Sequence, residues 1–321
     1  MTIDGAFDEY QQAVNADLSQ IKLARERRDT FKHAFNSRDD VLECFGSGSL
    51  ARSTQLKPVH DVDLIVVYDL KAHQDWGQSG ASAEAAVRHV QAEVTYLLGM
   101  NGTIDQLVRE TRVAGRDRAV KCFIDPPDAN DAFTVDAMPA LRLPAGTLLL
   151  PSVNNQSWTE ADPEYLIVEV ADRQRKWSHF RPVVRLLKDW RLAQDTKIKS
   201  LVMEVLALKC LPTDENRAAA LRRFFAAAAV EVFYGVDDPA GFCGAVQIDL
   251  DTSAVSAALS SAAEHARLAC AAADSGDTNT AKFWWRQVFG TDFPGPESQP
   301  NTAHTAPVVT APRRVRDAPQ G

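Results

Sequence analysis

Apolar residues recur at helical spacing near the start of the chain, at Phe7, Tyr10, Val14, Leu18 and Ile21, and again at Phe31 and Phe35. The pattern predicts one long amphipathic helix from near Phe7 to about Phe35. VLECF, residues 41–45, is a short run ending at Gly46, and VDLIVVYD, residues 62–69, is dense in β-branched residues. They read as a short strand and a buried central strand. Between them lie about a dozen residues including Pro58, room for a short turn of helix at most. SAEAAVRHVQAEVTYLLG, residues 82–99, sets Val87, Val90, Val94, Leu97 and Leu98 on one face, a helix stopped by Gly99 and Gly102. DQLVRETRV, RAVKCFI and AFTVDAMPAL follow as successive strands, with AGRD and DPPDAND as turns.

From about residue 163 the pattern turns helical: RPVVRLLKDWRL with Pro182 in its first turn, KSLVMEVLALKCL stopped by Pro212, ENRAAALRRFFAAAAVEVF, and two more near 252–272 and 278–289. Beyond Gly290 the chain is rich in Pro, Thr and Ala, and its end is expected to be disordered. No internal repeat is visible. The predicted organisation is a long N-terminal helix over 1–36, a mixed lobe over 37–160, a helical lobe over 161–292 and a disordered tail over 293–321.

Composition narrows the class. The 321 residues, 45% apolar and 24% charged, are those of a globular protein with one large domain or two ordinary ones. No run of eighteen apolar residues occurs, and MTIDGAFDEY is acidic and polar where a signal peptide is basic and then apolar, so a cytoplasmic protein without a membrane span is expected. Cys44, Cys122, Cys210, Cys243 and Cys270 form no CxxC pair and read as buried thiols. A net charge of −8 disfavours a broad nucleic-acid footprint. The arginines over 109–118 and 173–191 are still numerous enough to surround a small polyanion such as a triphosphate, although for most single arginines a solvated face is the plainer reading.

Residues 46–51, GSGSLA, satisfy GxGxxA, one form of the dinucleotide fingerprint, with Asp69 downstream. That fold needs a full crossover helix after the glycines, and residues 50–60 are too few and contain Pro58. No Lys-Ser or Lys-Thr stands where a Walker loop requires it. The informative feature lies further on. Asp61 and Asp63 alternate on a strand, so both carboxylates point to one face with Cα atoms about 6.5 to 7 Å apart; taken alone the pair reads as surface residues more readily than as metal ligands. Asp136 sits in an apolar strand context where an unpaired carboxylate is costly to bury. If the two strands are neighbours, three carboxylates surround a space for two divalent ions about 3.5 to 4 Å apart, an all-oxygen environment suited to Mg²⁺.

GSLARST, then DVD, then VDAMPA resembles the GSxxRGT, DxD and VDxxPA pattern of polymerase β-like nucleotidyltransferases, and within them the bacterial cGAS/DncV-like group, the CD-NTases, kin of oligoadenylate synthetase. RLLKDWR, KSLVMEV and WWRQVFGTDFP continue the resemblance, which covers about residues 40–294. Ser53 departs from it, standing where such proteins usually have glycine. The resemblance implies an α+β fold: a polymerase β-like lobe with a small mixed sheet and an all-helical second lobe, bridged by the long N-terminal helix, with the active site in the cleft. It implies Asp61 and Asp63 as ligands of two Mg²⁺ ions, or Mn²⁺, and Asp136 as ligand of the ion that activates the attacking hydroxyl. Gly48 and Ser49 would cradle the β- and γ-phosphates, with Ser47 as a weaker contact; a plain strand-to-helix turn with a serine cap is the alternative. Arg52 is left open between the phosphates and an acid. Lys188 and Ser200 match positions that contact donor-nucleotide phosphates. Phe283, Trp284, Trp285 and Phe289 read as helix packing rather than a base-stacking platform.

The implied activity is condensation of nucleoside triphosphates, ATP among them, into a cyclic or short linear oligonucleotide messenger, with release of pyrophosphate. The implied biology is antiphage signalling through a separate messenger-activated effector, with a conjugating or activating partner acting through the tail that closes in Gly321. A tRNA-directed nucleotidyltransferase and a catalytically silent nucleotide-binding module are the alternatives.

Overall fold

The computed structural model of the chain describes residues 1–299. It divides into two compact units, one formed by Ala16–Ile167 and the other by Met1–Asn15 with the described residues from Val168 onward.

The opening apolar pattern is two helices rather than the one predicted: α1 (Ile3–Val14) and α2 (Leu18–Asn36). Asn15 leaves the helix in an extended conformation and its Oδ1 accepts from Gln11, while Asp17 caps α2 by accepting from the Ser19 amide at 2.7 Å. Side chains of Asn and Asp compete with helical hydrogen bonds in this way and end helices. Each half has its own apolar stripe, so the periodicity runs across the break. α1 belongs to one unit and α2 to the other.

In the sheet unit, α2 leads into β1 (Val41–Ser47), the five-residue α3 (Gly48–Arg52), β2 (Asp61–Tyr68) and α4 (Ser82–Leu98). Then come β3 (Glu110–Arg112), β4 (Val120–Phe123), β5 (Thr134–Arg142), β6 (Leu148–Ser152) and β7 (Ser157–Ala161). The sheet runs β1-β2-β5-β4-β3, with β6 pairing both β5 and β7. β2 and β5 are parallel and every other pair is antiparallel. β6 and β7 were not foreseen: Pro151 interrupts the first and SWTEA has no apolar alternation.

β2 is apolar from Leu64 to Tyr68 because that stretch is buried on both faces. Val62, Leu64, Val66 and Tyr68 join the core beneath α2 and α4, and Ile65 and Val67 join a smaller cluster with Ala140, Leu148 and Leu150. Asp61 and Asp63 share the parity of Ile65 and Val67, so they face away from the large core.

The helical unit holds α1 and, after α5 (Pro163–Lys176), which crosses the boundary, α6 (Phe180–Trp190), α7 (Ser200–Cys210), α8 (Arg217–Glu231), α9 (Thr252–Asp274) and α10 (Thr278–Phe289). Phe7 of α1 is fully buried edge-on against Trp285 and Phe293, at centroid distances of 5.0 and 5.1 Å. The aromatic cluster is thus helix packing, as predicted. Phe293 is itself core, and Glu297 pairs with Lys282 at 2.7 Å. The ordered chain therefore extends past the predicted tail boundary at 293, anchored by an aromatic ring and an ion pair within a Pro-rich stretch. The rest of that prediction, Gly321 included, lies outside the described residues.

Cys44, Cys122 and Cys270 are buried as expected, but Cys210 is half-buried and Cys243, between small residues in a loop, is exposed. Among the described residues no helix is long and apolar enough to cross a membrane.

Candidate active site

The sheet register brings the predicted acids together. Asp63 of β2 lies opposite Asp136 of the parallel strand β5. The same rung continues to Ser47 of β1 on one side and Lys121 of β4 on the other. Residues on one rung point to one face, as do residues two apart on a strand, so Asp61, Asp63 and Asp136 share a face.

The glycine loop is fitted to this row. Gly48 has φ +65°, and a Cβ added there would stand 1.7 Å from Asp63 Oδ2. Only glycine tolerates both the left-handed backbone and that approach. α3 starts at once, anchored by buried Leu50, and ends at Ser53 with φ 57° and ψ 38°. Position 53, where the resemblance implies glycine, is therefore left-handed, and serine holds it at some steric cost. The strands flanking GSGSLA, β1 and β2, are antiparallel, which removes the dinucleotide reading, since that motif joins parallel strands.

Electrostatics set the row apart. Burial, then the charges of Asp61 and Asp136, push the Asp63 carboxyl up to about 7, against the opposing pull of Arg52 and Lys121. Burial also raises Asp136, opposed by Lys121 and Arg116. Arg116 Nη2 donates a short hydrogen bond to Asp136 Oδ2, and Lys121 Nζ lies 3.8 Å from Oδ1. Asp136 Oδ1 is buried and accepts no hydrogen bond. Of the two readings left open for Arg52, its buried charge acts on an acid. Arg116 is one of the arginines over 109–118 offered above as a surround for a polyanion, and here it holds an acid instead; Lys121 was not singled out in the sequence. The only signal for Lys121 is the strand parity that sets it opposite Asp136.

Oxygen-only donors, a carboxylate oxygen without a hydrogen bond, and two acids raised first by burial and then by acidic neighbours fit hard divalent cations, whose charge would reverse the penalty of clustering carboxylates. The ligand atoms of Asp61, Asp63 and Asp136 do not all lie within 4.8 Å of one another; the group of three among the described residues that does is Asp40, His73 and His89. Like charges separate, and Asp136 is held by Arg116.

Lys188 and Ser200 belong to the helical unit. Lys188 is 3% exposed, with Nζ 3.0 Å from Glu204 Oε1. Ser200 is the first residue of α7 and half-exposed. Arg181 and Arg185 lie one turn apart on α6, and burial lowers both, Arg185 further through repulsion from Arg181.

Residues 1–173 match the family model described as Second Messenger Oligonucleotide or Dinucleotide Synthetase domain. The chain belongs to this family. A probable cyclic nucleotide synthase of Bacillus cereus (strain VD146) is 22% identical to it, over 92% of this chain and 99% of that protein. Among solved structures, CdnC of E. coli MS115-1 with ATP superposes with a TM-score of 0.67 at 17% identity, covering 91% of this chain and 98% of that one; CdnC has also been solved in complex with HORMA, at 0.65, 18%, 91% and 98%. The Vibrio cholerae DncV cyclic AMP-GMP synthase, with a linear intermediate, gives 0.55 at 16% identity over 78% and 69%. The chain has the polymerase β-like α+β fold of these CD-NTases, and its family is that of nucleotidyltransferases that synthesise second-messenger oligonucleotides or dinucleotides.

Proposed function

We propose that the synthetase works through two Mg²⁺ ions, with Mn²⁺ able to substitute, held by Asp61, Asp63 and Asp136, and uses ATP among its substrates. The observation that carries this is the shared rung of Asp63 and Asp136 on parallel strands, closed by a glycine that approaches the Asp63 carboxylate. When bound, the ions lower the pKa of the attacking hydroxyl and neutralise charge on the leaving pyrophosphate.

The chain's own residues do the rest. Asp63, raised to about 7 without a cation, loses its proton to bind one. Arg116 and Lys121 restrain Asp136 so that its orphaned Oδ1 stays presented on the shared face. Gly48 and Ser49 offer backbone N–H groups and a hydroxyl to the β- and γ-phosphates, and the missing side chain at 48 lets phosphate oxygens approach. The acceptor 2′- or 3′-hydroxyl, aligned opposite the leaving group, attacks the α-phosphate, and pyrophosphate departs in line. Ser200 and Lys188 are assigned to donor phosphates by resemblance.

Family membership favours this over transfer to tRNA or a silent module. Antiphage signalling through a messenger-activated effector, and control by a protein partner, are part of the proposal; the CdnC complex with HORMA supports the second. The test is incubation of purified protein with all four labelled nucleoside triphosphates, with and without tRNA and with Mg²⁺ or EDTA, followed by mass spectrometry. A phosphatase-resistant cyclic product formed only with metal supports the reading. Incorporation of label into tRNA alone, or no pyrophosphate under any condition, overturns it.

A further inference from the structure

At the far end of β2 a second cluster of metal-ligating groups has no part in the proposed reaction. Asp40 stands just before β1, His73 in the turn after β2, and His89 on α4, all within the sheet unit. Backbone bonds knit the two turns together: the Asp69 amide donates to the Asp40 carbonyl at 2.8 Å, and the His73 amide to the Asp69 carbonyl at 3.3 Å. β2 advances about 3.3 Å per residue, so its Tyr68 end is about 17 Å from Asp63.

His73 Nε2 lies 2.9 Å and His89 Nε2 3.6 Å from the same oxygen, Asp40 Oδ2. One ligand atom from each residue lies within 4.8 Å of the other two. Metal–nitrogen and metal–oxygen bonds of about 2.0–2.1 Å around a tetrahedral zinc ion place neighbouring donors about 3.3 Å apart, between the two observed spacings. His89 Nε2 is buried and has no hydrogen-bond partner. Its second carboxylate neighbour, Glu93 Oε2, is 3.5 Å away and engaged by the Tyr68 hydroxyl at 2.6 Å, while Arg38 holds Oε1 at 2.8 Å.

The walls are aromatic. Trp76 stacks on His73 with centroids 3.9 Å apart, and Tyr68 meets both imidazoles edge-on at 5.2 and 5.4 Å. Such packing fixes the ring orientations that a metal requires. Two imidazoles with a carboxylate are the donors of a borderline transition ion, whereas Mg²⁺ and Ca²⁺ take oxygen alone.

We propose that Asp40, His73 and His89 form a structural zinc site, with Glu93 or water as the fourth ligand. The ion clips the turn before β1 and the turn after β2 to α4. Those are the two strands that carry the glycine loop and the first two acids, so the clip fixes their register from the end remote from the chemistry.

The test uses the full chain, stripped with EDTA and dialysed, then titrated with Zn²⁺ in excess Mg²⁺. One equivalent should bind, raising Tm by about 5 °C, of the size that saturating ligand gives a domain of this size, and Co²⁺ in its place should give the strong visible absorption of a tetrahedral site. His73→Gln and His89→Gln should each abolish the Tm rise, while the Asp61→Asn/Asp63→Asn pair should keep it. Absence of stoichiometric binding to the wild-type chain overturns the site even if no histidine variant folds. So does binding that survives both histidine changes, or that is lost with the Asp61 and Asp63 pair.

Discussion

In the helical unit, Lys188 of α6 meets Glu204 of α7 at 3.0 Å, both almost wholly buried. In the sheet unit, Asp63 and Asp136 lie side by side on one rung with Asp61 next to them, and burial and mutual repulsion raise Asp63 to about 7. The first arrangement is one cation for one anion, the form in which charge can be buried at tolerable cost. The second sets three acids together, Asp136 of them facing Arg116 and Lys121, with a carboxylate oxygen that accepts no hydrogen bond and a glycine brought against an acid. A fold gains nothing in stability from that arrangement alone, so it marks a place where something else binds. The contrast bears directly on Lys188, whose ammonium already has a buried carboxylate partner.

Gly48→Ala should have the largest effect of the single changes aimed at the acid row. Its Cβ would fall 1.7 Å from Asp63 Oδ2 at a positive φ, so a loss of activity on the order of 100-fold is expected with little loss of far-UV circular dichroism. Normal turnover would mean that the loop does not position the acids.

Lys188→Ala should leave Glu204 buried without its cation and destabilise the protein by about 3 kcal/mol in urea denaturation. Lys188→Met with Glu204→Leu should recover most of that loss. Assaying the double variant separates the two roles: an unchanged KM for ATP assigns Lys188 to packing, a raised one to the nucleotide.

Arg116→Met removes the partner of Asp136 and should cost about 2 kcal/mol without metal. The deficit should shrink in Mg²⁺, because a cation then takes over the carboxylate; a deficit independent of Mg²⁺ would separate Asp136 from the metal site.

The pH response is smaller and has a definite sign. An acid raised in the folded state stabilises the fold below its ordinary value near 3.8, and that contribution is lost as pH rises through about 7. Mg²⁺ competes with the proton, so the rise in Tm on adding Mg²⁺ should be greater at pH 8 than at pH 6, and the Asp63→Asn protein should show a smaller difference. Smallest of all, Ser53→Gly should stabilise by up to about 1 kcal/mol by relieving the left-handed strain at φ 57°.

Much of this contrast was legible in the sequence because strands have a period of two. Alternation alone put Asp61 and Asp63 on one face, and an apolar context marked Asp136 as needing a partner. Which partner it has was hidden: Arg116 reaches it from a turn, and only the β4–β5 pairing sets Lys121 opposite. The break between α1 and α2 was hidden for a different reason. Two helices that each carry an apolar stripe read as one until Asn15 and Asp17 are recognised as caps. Lys188 illustrates a third limit, since a lysine among core positions looks the same in sequence whether a nucleotide or Glu204 neutralises it. The His73 and His89 cluster was invisible because its members come from a turn and a helix with no shared spacing.

The central claim is that the acid row performs metal-dependent nucleotidyl transfer, and pyrophosphate release by Asp61→Asn/Asp63→Asn beside the wild type, each with all four nucleotides and Mg²⁺, tests it most directly. The account predicts release by the wild type, its abolition by EDTA, and none above background from a double variant that remains folded; release at the wild-type rate from that variant would contradict it.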